Sequence, residues 1–187
     1  MVRYTIPISM VERSTRRRLR AAAGTLLFLG LAPGVVAGLV PWWLTRWQAS
    51  GSPMWAHVIG WVALVAGAVV LVEAFARFAI EGVGTPAPAA PTETLVVGGL
   101  YRYVRNPMYI AVAAVILGQA AVLGRWILVG YAFLFGVTVW SFVRWYEEPT
   151  LARQFGRAYD EYLATVPGWC PRKPRRSPKI NEAGRRL

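Results

Sequence analysis

The chain has 187 residues, 56% of them hydrophobic and 16% charged, with a mean hydropathy of +0.39. A soluble domain carries about 25% charged residues, and here the apolar residues come in long blocks, which excludes an ordinary water-soluble domain and points to a polytopic membrane protein. The formal net charge of +12 gathers at the two ends and between the apolar blocks, so its expected partner is anionic lipid headgroups and not nucleic acid.

Residues 1–20 hold Arg3, Arg13, Arg16, Arg17, Arg18 and Arg20 against one acid, Glu12. They form a basic arm or interfacial helix. The apolar segment that follows is too long for the h-region of a cleavable signal peptide. Residues 21–80 supply two membrane spans. The first, 21–44, exceeds the roughly 20 residues a span needs, and Pro33 and Pro41 predict a kink or early end. Trp42, Trp43 and Trp47 mark an aqueous interface. The second span covers 55–78. Near its end Glu73 and Arg77 lie four apart and can pair along one face. Charges at such depth are either structural partners or site lining. His57 has no Cys or His at ligand spacing, so no metal site is expected. Cys170 stands alone, is expected to face the cytosol as a free thiol and cannot form an intrachain disulfide.

Residues 81–97 form a Pro-rich connector, expected to be extended. Residues 98–170 hold the chemistry. They open with GGLYRYVRNPMY, residues 98–109. Asn106 reads as an N-cap and Pro107 as a first helical residue. The helix N-terminus, with Arg102 and Arg105 before it, offers an anion site; equally, the stretch reads as a polar loop meeting headgroups. A third span covers 107–123, Gly124 and Arg125 turn the chain, and a fourth span covers 126–146. The turn is so short that these two spans must be antiparallel neighbours. Pro149 predicts the start of a new helix, whose Leu151, Phe155, Tyr159, Tyr162 and Val166 form one apolar stripe suited to a membrane surface. Glu147 and Glu148 are adjacent acids that disfavour each other unless cations or donors stabilise them; Arg144, one turn earlier, can pair with either. Residues 171–187 form a basic, Pro-rich tail, expected to be disordered.

Every Lys and Arg except Arg46 and Arg125 lies in 1–20, 77–106 or 144–187. By the positive-inside rule this predicts an all-α protein with four transmembrane helices, both termini cytoplasmic, plus a C-terminal interfacial amphipathic helix. The 98–109 motif and everything after Arg144 then share one face.

GGLYRYVRNPMY, followed about 40 residues later by RWYEEPTLARQFGRAYDEYLATVPGW, resembles the isoprenylcysteine carboxyl methyltransferase and phospholipid methyltransferase superfamily. Its pattern is a Gly-x-Tyr turn, Arg-His-Pro-x-Tyr, a helical hairpin, then Glu-Glu, Phe-Gly, two tyrosines and Val-Pro. The resemblance spans residues 95–171. It implies an integral-membrane, S-adenosylmethionine-dependent methyltransferase acting on a lipophilic acceptor, either an isoprenylcysteine-like carboxylate or a phospholipid amine. The setting it implies is a bacterial inner membrane, with the active site at the cytoplasmic face. Carried over from the resemblance, Arg105, Pro107, Tyr109, Glu147 and Glu148 are the implied cofactor contacts; Gly99, Tyr101, Asn106 and Tyr146 are further candidate contacts, and Arg144 and Glu147 are the candidates for catalytic roles, Arg144 by orienting an anionic head. Asn106 replaces the usual histidine; it can cap and hydrogen-bond but cannot act as a base at neutral pH. Rival expectations are an idle lipid-binding or scaffold protein of the same fold, and a membrane reductase sharing the C-terminal architecture.

Overall fold

The computed structural model describes residues 31–81 and 94–173. The basic arm 1–20, the start of the first span, most of the connector and the tail from residue 174 lie outside the described residues. Among the described residues the chain is all-helical: α1 (Leu31–Thr45), α2 (Met54–Glu81), α3 (Pro107–Leu123), α4 (Trp126–Phe155) and α5 (Arg157–Thr165), with a 3₁₀ turn at Gly99–Arg102. Two segments, Met54–Arg77 and Trp126–Phe155, are long and apolar enough to cross a membrane; α3 and the described part of α1 are shorter.

The core of the bundle lies between α3 and α4. Val112, Ile116, Ala120, Leu128 and Ala132 are buried, and Val36, Leu44, Leu71 and Phe135 pack against them. α2 approaches α3 backbone to backbone. A methyl group on Gly60 would come within 2.8 Å of the Gly118 carbonyl, and one on Gly118 within 2.8 Å of the Gly60 carbonyl. Two turns further along, a methyl on Gly67 would lie 2.9 Å from the Ala111 carbonyl. Small residues at such contacts let helices meet where lipid offers no hydrophobic drive for association. The outward faces of α2 and α4 remain apolar and exposed, including Val62, Val65, Val69, Phe133, Leu134 and Trp140.

The prolines predicted to break helices do something else. Pro41 lies two residues after a π turn at Val35–Leu39, and Pro149 two residues after a π turn at Val143–Glu147. Each π turn is closed by a five-residue hydrogen bond, Val40 N–H to Val35 O and Glu148 N–H to Val143 O. A proline lacks the N–H that its partner carbonyl needs; the wider turn carries the helix past it. In α1 the orphaned carbonyls find side chains instead. Gln119 Nε2 donates to Ala37 O at 2.7 Å and Tyr131 hydroxyl donates to Val36 O at 2.9 Å. Gln119→Leu should therefore cost about 1 kcal/mol, the lower end of the penalty for an unsatisfied carbonyl since this one is only partly buried, read as a lower unfolding midpoint in detergent; an unchanged midpoint contradicts this role.

Two expectations need correction. Pro149 does stand in the first turn of an α-helical segment, Glu148–Phe155, as expected, but that segment continues α4 through the π turn instead of starting as a separate helix. The single amphipathic helix after it is also broken. Gly156 adopts φ +52°, ψ −129°, a region open essentially to glycine alone, and α5 leaves in a new direction. Tyr159 and Val166 are buried while Leu151 and Phe155 are only partly covered, so the stripe serves two separate elements.

Candidate functional site

The start of α3 forms the floor. Asn106 occupies the N-cap position with φ −116° and ψ 49°, but its side chain makes no capping bond. Its Nδ2 donates to Gly168 O at 3.1 Å, and its backbone N–H donates to the same carbonyl at 3.2 Å. The expected cap is thus a tether. It holds the segment after α5 against the loop before α3, reinforced by Arg105 N–H to Pro167 O and Arg172 N–H to Tyr103 O. Pro107 is fully buried beneath.

Arg105 reaches from this floor to the acidic pair. Its Nη1 lies 2.8 Å from Glu148 Oε1 and 3.4 Å from the Tyr159 hydroxyl. Both ion-pair side chains are largely covered, at 15% and 18% exposure. Arg144 Nη1 approaches the other Glu148 oxygen at 3.5 Å but is 64% exposed, so its share is small. Glu147 takes a different partner, accepting from the Tyr109 hydroxyl at 3.0 Å. Successive residues on a regular α-helix diverge by about 100°. The π turn at Val143–Glu147 widens the helix where this pair sits, and both acids reach inward onto α3. Such turns are frequent at functional sites.

α5 and the strap behind it make the roof. Tyr162 hydroxyl donates to Tyr101 O at 2.8 Å. Burial pushes the Tyr159 and Tyr162 hydroxyls above their ordinary pKa, against the opposing pull of Arg105, so both stay neutral at physiological pH. The Trp169 ring sits 6.5 Å from that of Tyr109. Gly168 passes directly over Arg105: a methyl there would lie 3.2 Å from Nη2.

Of the residues singled out from sequence, Arg105, Asn106, Pro107, Tyr109, Arg144, Glu147 and Glu148 come together here. Tyr101 borders the cluster through its carbonyl. Tyr146 does not join it; it is half-exposed and stacks on Phe142 at 5.1 Å between centroids. Gly99 also faces elsewhere. It has φ +54°, and a methyl on it would strike the Glu73 carboxylate and the Arg77 guanidinium. Glu73 and Arg77 do pair, at 3.0 Å, and they also line a cavity. Tyr159, Tyr162, Gly168 and Trp169 also border the site, beyond the apolar stripe and the motif that their sequence pattern shows. The hydroxyls at two stripe positions were the available signal that this face meets polar partners.

Among the described residues, two apolar helices long enough to cross a membrane, with a covered Arg–Glu–Tyr cluster where α3 begins and α4 turns, make a helical bundle of the membrane type with a polar site at its end. Residues 55–158 match the family model described as phospholipid methyltransferase, more than half of the chain, and the chain belongs to that family. It is similar to a protein-S-isoprenylcysteine O-methyltransferase of Schizosaccharomyces pombe, 34% identical over 83 residues, which cover 43% of this chain and 34% of the relative's length. No solved structure gives a significant match.

Proposed function

We propose that the chain is an integral-membrane methyltransferase that uses S-adenosylmethionine and methylates a lipophilic acceptor bearing a carboxylate or an amine. Family membership and the name of the fission-yeast relative support methyl transfer. The observation that carries the cofactor assignment is the Arg105 cluster. Arg105 Nε is buried without a hydrogen-bond partner, an orphan that is costly unless a ligand supplies an acceptor.

The donor set fits the cofactor's polar groups. Arg105 suits its carboxylate, Glu147 and Glu148 suit its ammonium and ribose hydroxyls, and the Tyr109 and Trp169 rings suit its adenine or its cationic sulfur. When bound, the cofactor supplies an activated methyl group. The protein's own task is then alignment. Arg105 and the two glutamates fix position, and the strap held by Asn106 closes the site from water, so that proximity carries the rate. Asn106 takes no proton in this scheme. The distribution of Lys and Arg supports four crossings with both ends cytoplasmic and the cluster on that face.

Calorimetry of the purified chain with S-adenosylhomocysteine tests this reading. Wild type should bind saturably. Glu147→Gln, which keeps the shape but loses the charge, should weaken binding about tenfold, or roughly 1.4 kcal/mol. A wild type that binds no S-adenosylhomocysteine overturns the assignment.

A further inference from the structure

The strap after α5 crosses the polar cluster and is held there mainly by backbone. Arg105 N–H donates to Pro167 O, Asn106 N–H to Gly168 O and Arg172 N–H to Tyr103 O. The Asn106 amide adds one side-chain bond, to Gly168 O. Gly168 lies against the Arg105 guanidinium, so close that a methyl on it would sit 3.2 Å from Nη2. Nε of the same guanidinium is shut off from solvent and has no hydrogen-bond partner. A ligand that is to reach Arg105 has to pass the strap. Backbone bonds near an exposed chain segment open locally far more readily than those of a packed helix.

The far latch of this strap carries like charges on both sides. Arg102 precedes the acceptor Tyr103, and the donor Arg172 is followed by Lys173. All three basic residues are exposed, and none forms an ion pair among the described residues. Cations gathered in this way repel unless an anion lies among them. The sign continues along the chain, where Arg175, Arg176, Lys179, Arg185 and Arg186 follow against the single acid Glu182. The level of the latch in the bilayer is also marked. Trp145, 73% exposed, stands three residues before Glu148 on α4, with exposed Arg144 beside it. An outward tryptophan beside an arginine marks the boundary between hydrocarbon and headgroups. Glu148 is the partner of Arg105, so the strap over Arg105 lies at headgroup level.

Resting on the methyltransferase reading, we propose that residues 166–173 are a lid on the cofactor site, and that an anionic lipid leaflet holds it shut through Arg102, Arg172 and Lys173. Negatively charged phosphate heads supply the counter-charge that the latch lacks. A zwitterionic head brings its own cation and supplies less. The lifetime of the bound cofactor then follows the charge of the membrane around the enzyme.

The test uses the full chain in bilayer discs of phosphatidylcholine, alone or with about one-third phosphatidylglycerol. A spin label on Cys170, the chain's single cysteine and exposed within the strap, reports the lid. S-adenosylhomocysteine should leave about tenfold more slowly from the anionic discs, and the label should lose mobility there. Arg172→Gln combined with Lys173→Gln keeps the latch N–H but removes two charges. It should abolish both lipid effects and leave the rates in neutral discs within about twofold of wild type. Arg172→Pro removes the N–H itself. In neutral discs it should quicken association and dissociation by the same factor, whereas a lost cofactor contact speeds dissociation alone. Inorganic phosphate at about 10 mM in neutral discs should change neither reading. A phosphate effect equal to that of the anionic lipid assigns the latch to free phosphate and overturns the proposal. Dissociation indifferent to phosphatidylglycerol overturns it too, as does a lipid effect that survives the double variant. If wild type binds no S-adenosylhomocysteine, the methyltransferase reading falls, and the mobility of the Cys170 label in the two lipids still decides whether the leaflet holds the strap.

Discussion

Arg105→Ala should lower S-adenosylhomocysteine affinity at least a hundredfold, about 2.7 kcal/mol, and destabilise the fold as well. Arg105 joins the loop before α3 to α4 through Glu148 at 2.8 Å and to α5 through Tyr159. Removing it leaves a mostly buried glutamate facing only Arg144, at 3.5 Å from an exposed guanidinium. Breaking one side of a buried pair costs about 3–5 kcal/mol; the residual exposure of 15% and 18% places this pair near the lower end. Arg105→Lys separates the two effects. It keeps the charge but loses the fork that reaches Glu148, Tyr159 and a ligand together. Its stability should lie close to wild type, with affinity still reduced about tenfold. Arg105→Ala binding S-adenosylhomocysteine as wild type does would remove the cluster from the cofactor site.

Gly118→Leu should be the most damaging substitution in the bundle. The first added carbon would lie 2.8 Å from Gly60 O and 2.9 Å from both the backbone nitrogen and Cγ of Leu64. Two of these atoms are backbone, so relief requires α2 to move away from α3. Overpacking typically costs about 1–3 kcal/mol, and a contact against helix backbone should reach at least the upper figure. Gly130→Leu is the control, as nothing lies within 4 Å of a methyl on Gly130. Thermal unfolding in detergent should show a large drop for Gly118→Leu and almost none for Gly130→Leu. Equal midpoints would refute the close approach of α2 and α3.

The bundle was legible because its punctuation is chemical. Asn106-Pro107 and Gly124-Arg125 bracket an apolar run, and α3 spans Pro107–Leu123 as expected. Gly124, at φ +65°, supplies the left-handed end that the run requires. The end of α4 was not legible. Pro149 is a helix-start signal when read locally, and a π turn inserts one residue without changing composition or hydrophobicity. The glycine contact between α2 and α3 was hidden for a related reason: both helices are apolar on every side, so no periodicity marks the buried face.

Asn106 shows the same division within the site. Its residue type and position suit a cap, which would use the amide oxygen as acceptor, but the amide nitrogen donates instead to a segment 62 residues later and the oxygen makes no capping bond. Glu147 and Glu148 were legible as an unusual acidic pair needing stabilisation. Which one meets Arg105 and which meets Tyr109 was decided by the rotation of a π turn. Local hydrophobicity, turn chemistry and residue type were enough to place α3 and the apolar runs, the uneven distribution of charge and the candidate residues Arg105, Glu147 and Glu148. The tertiary structure alone decided their partners. Partner choice depends on helix register and on contacts between residues far apart in the chain, which no local pattern encodes.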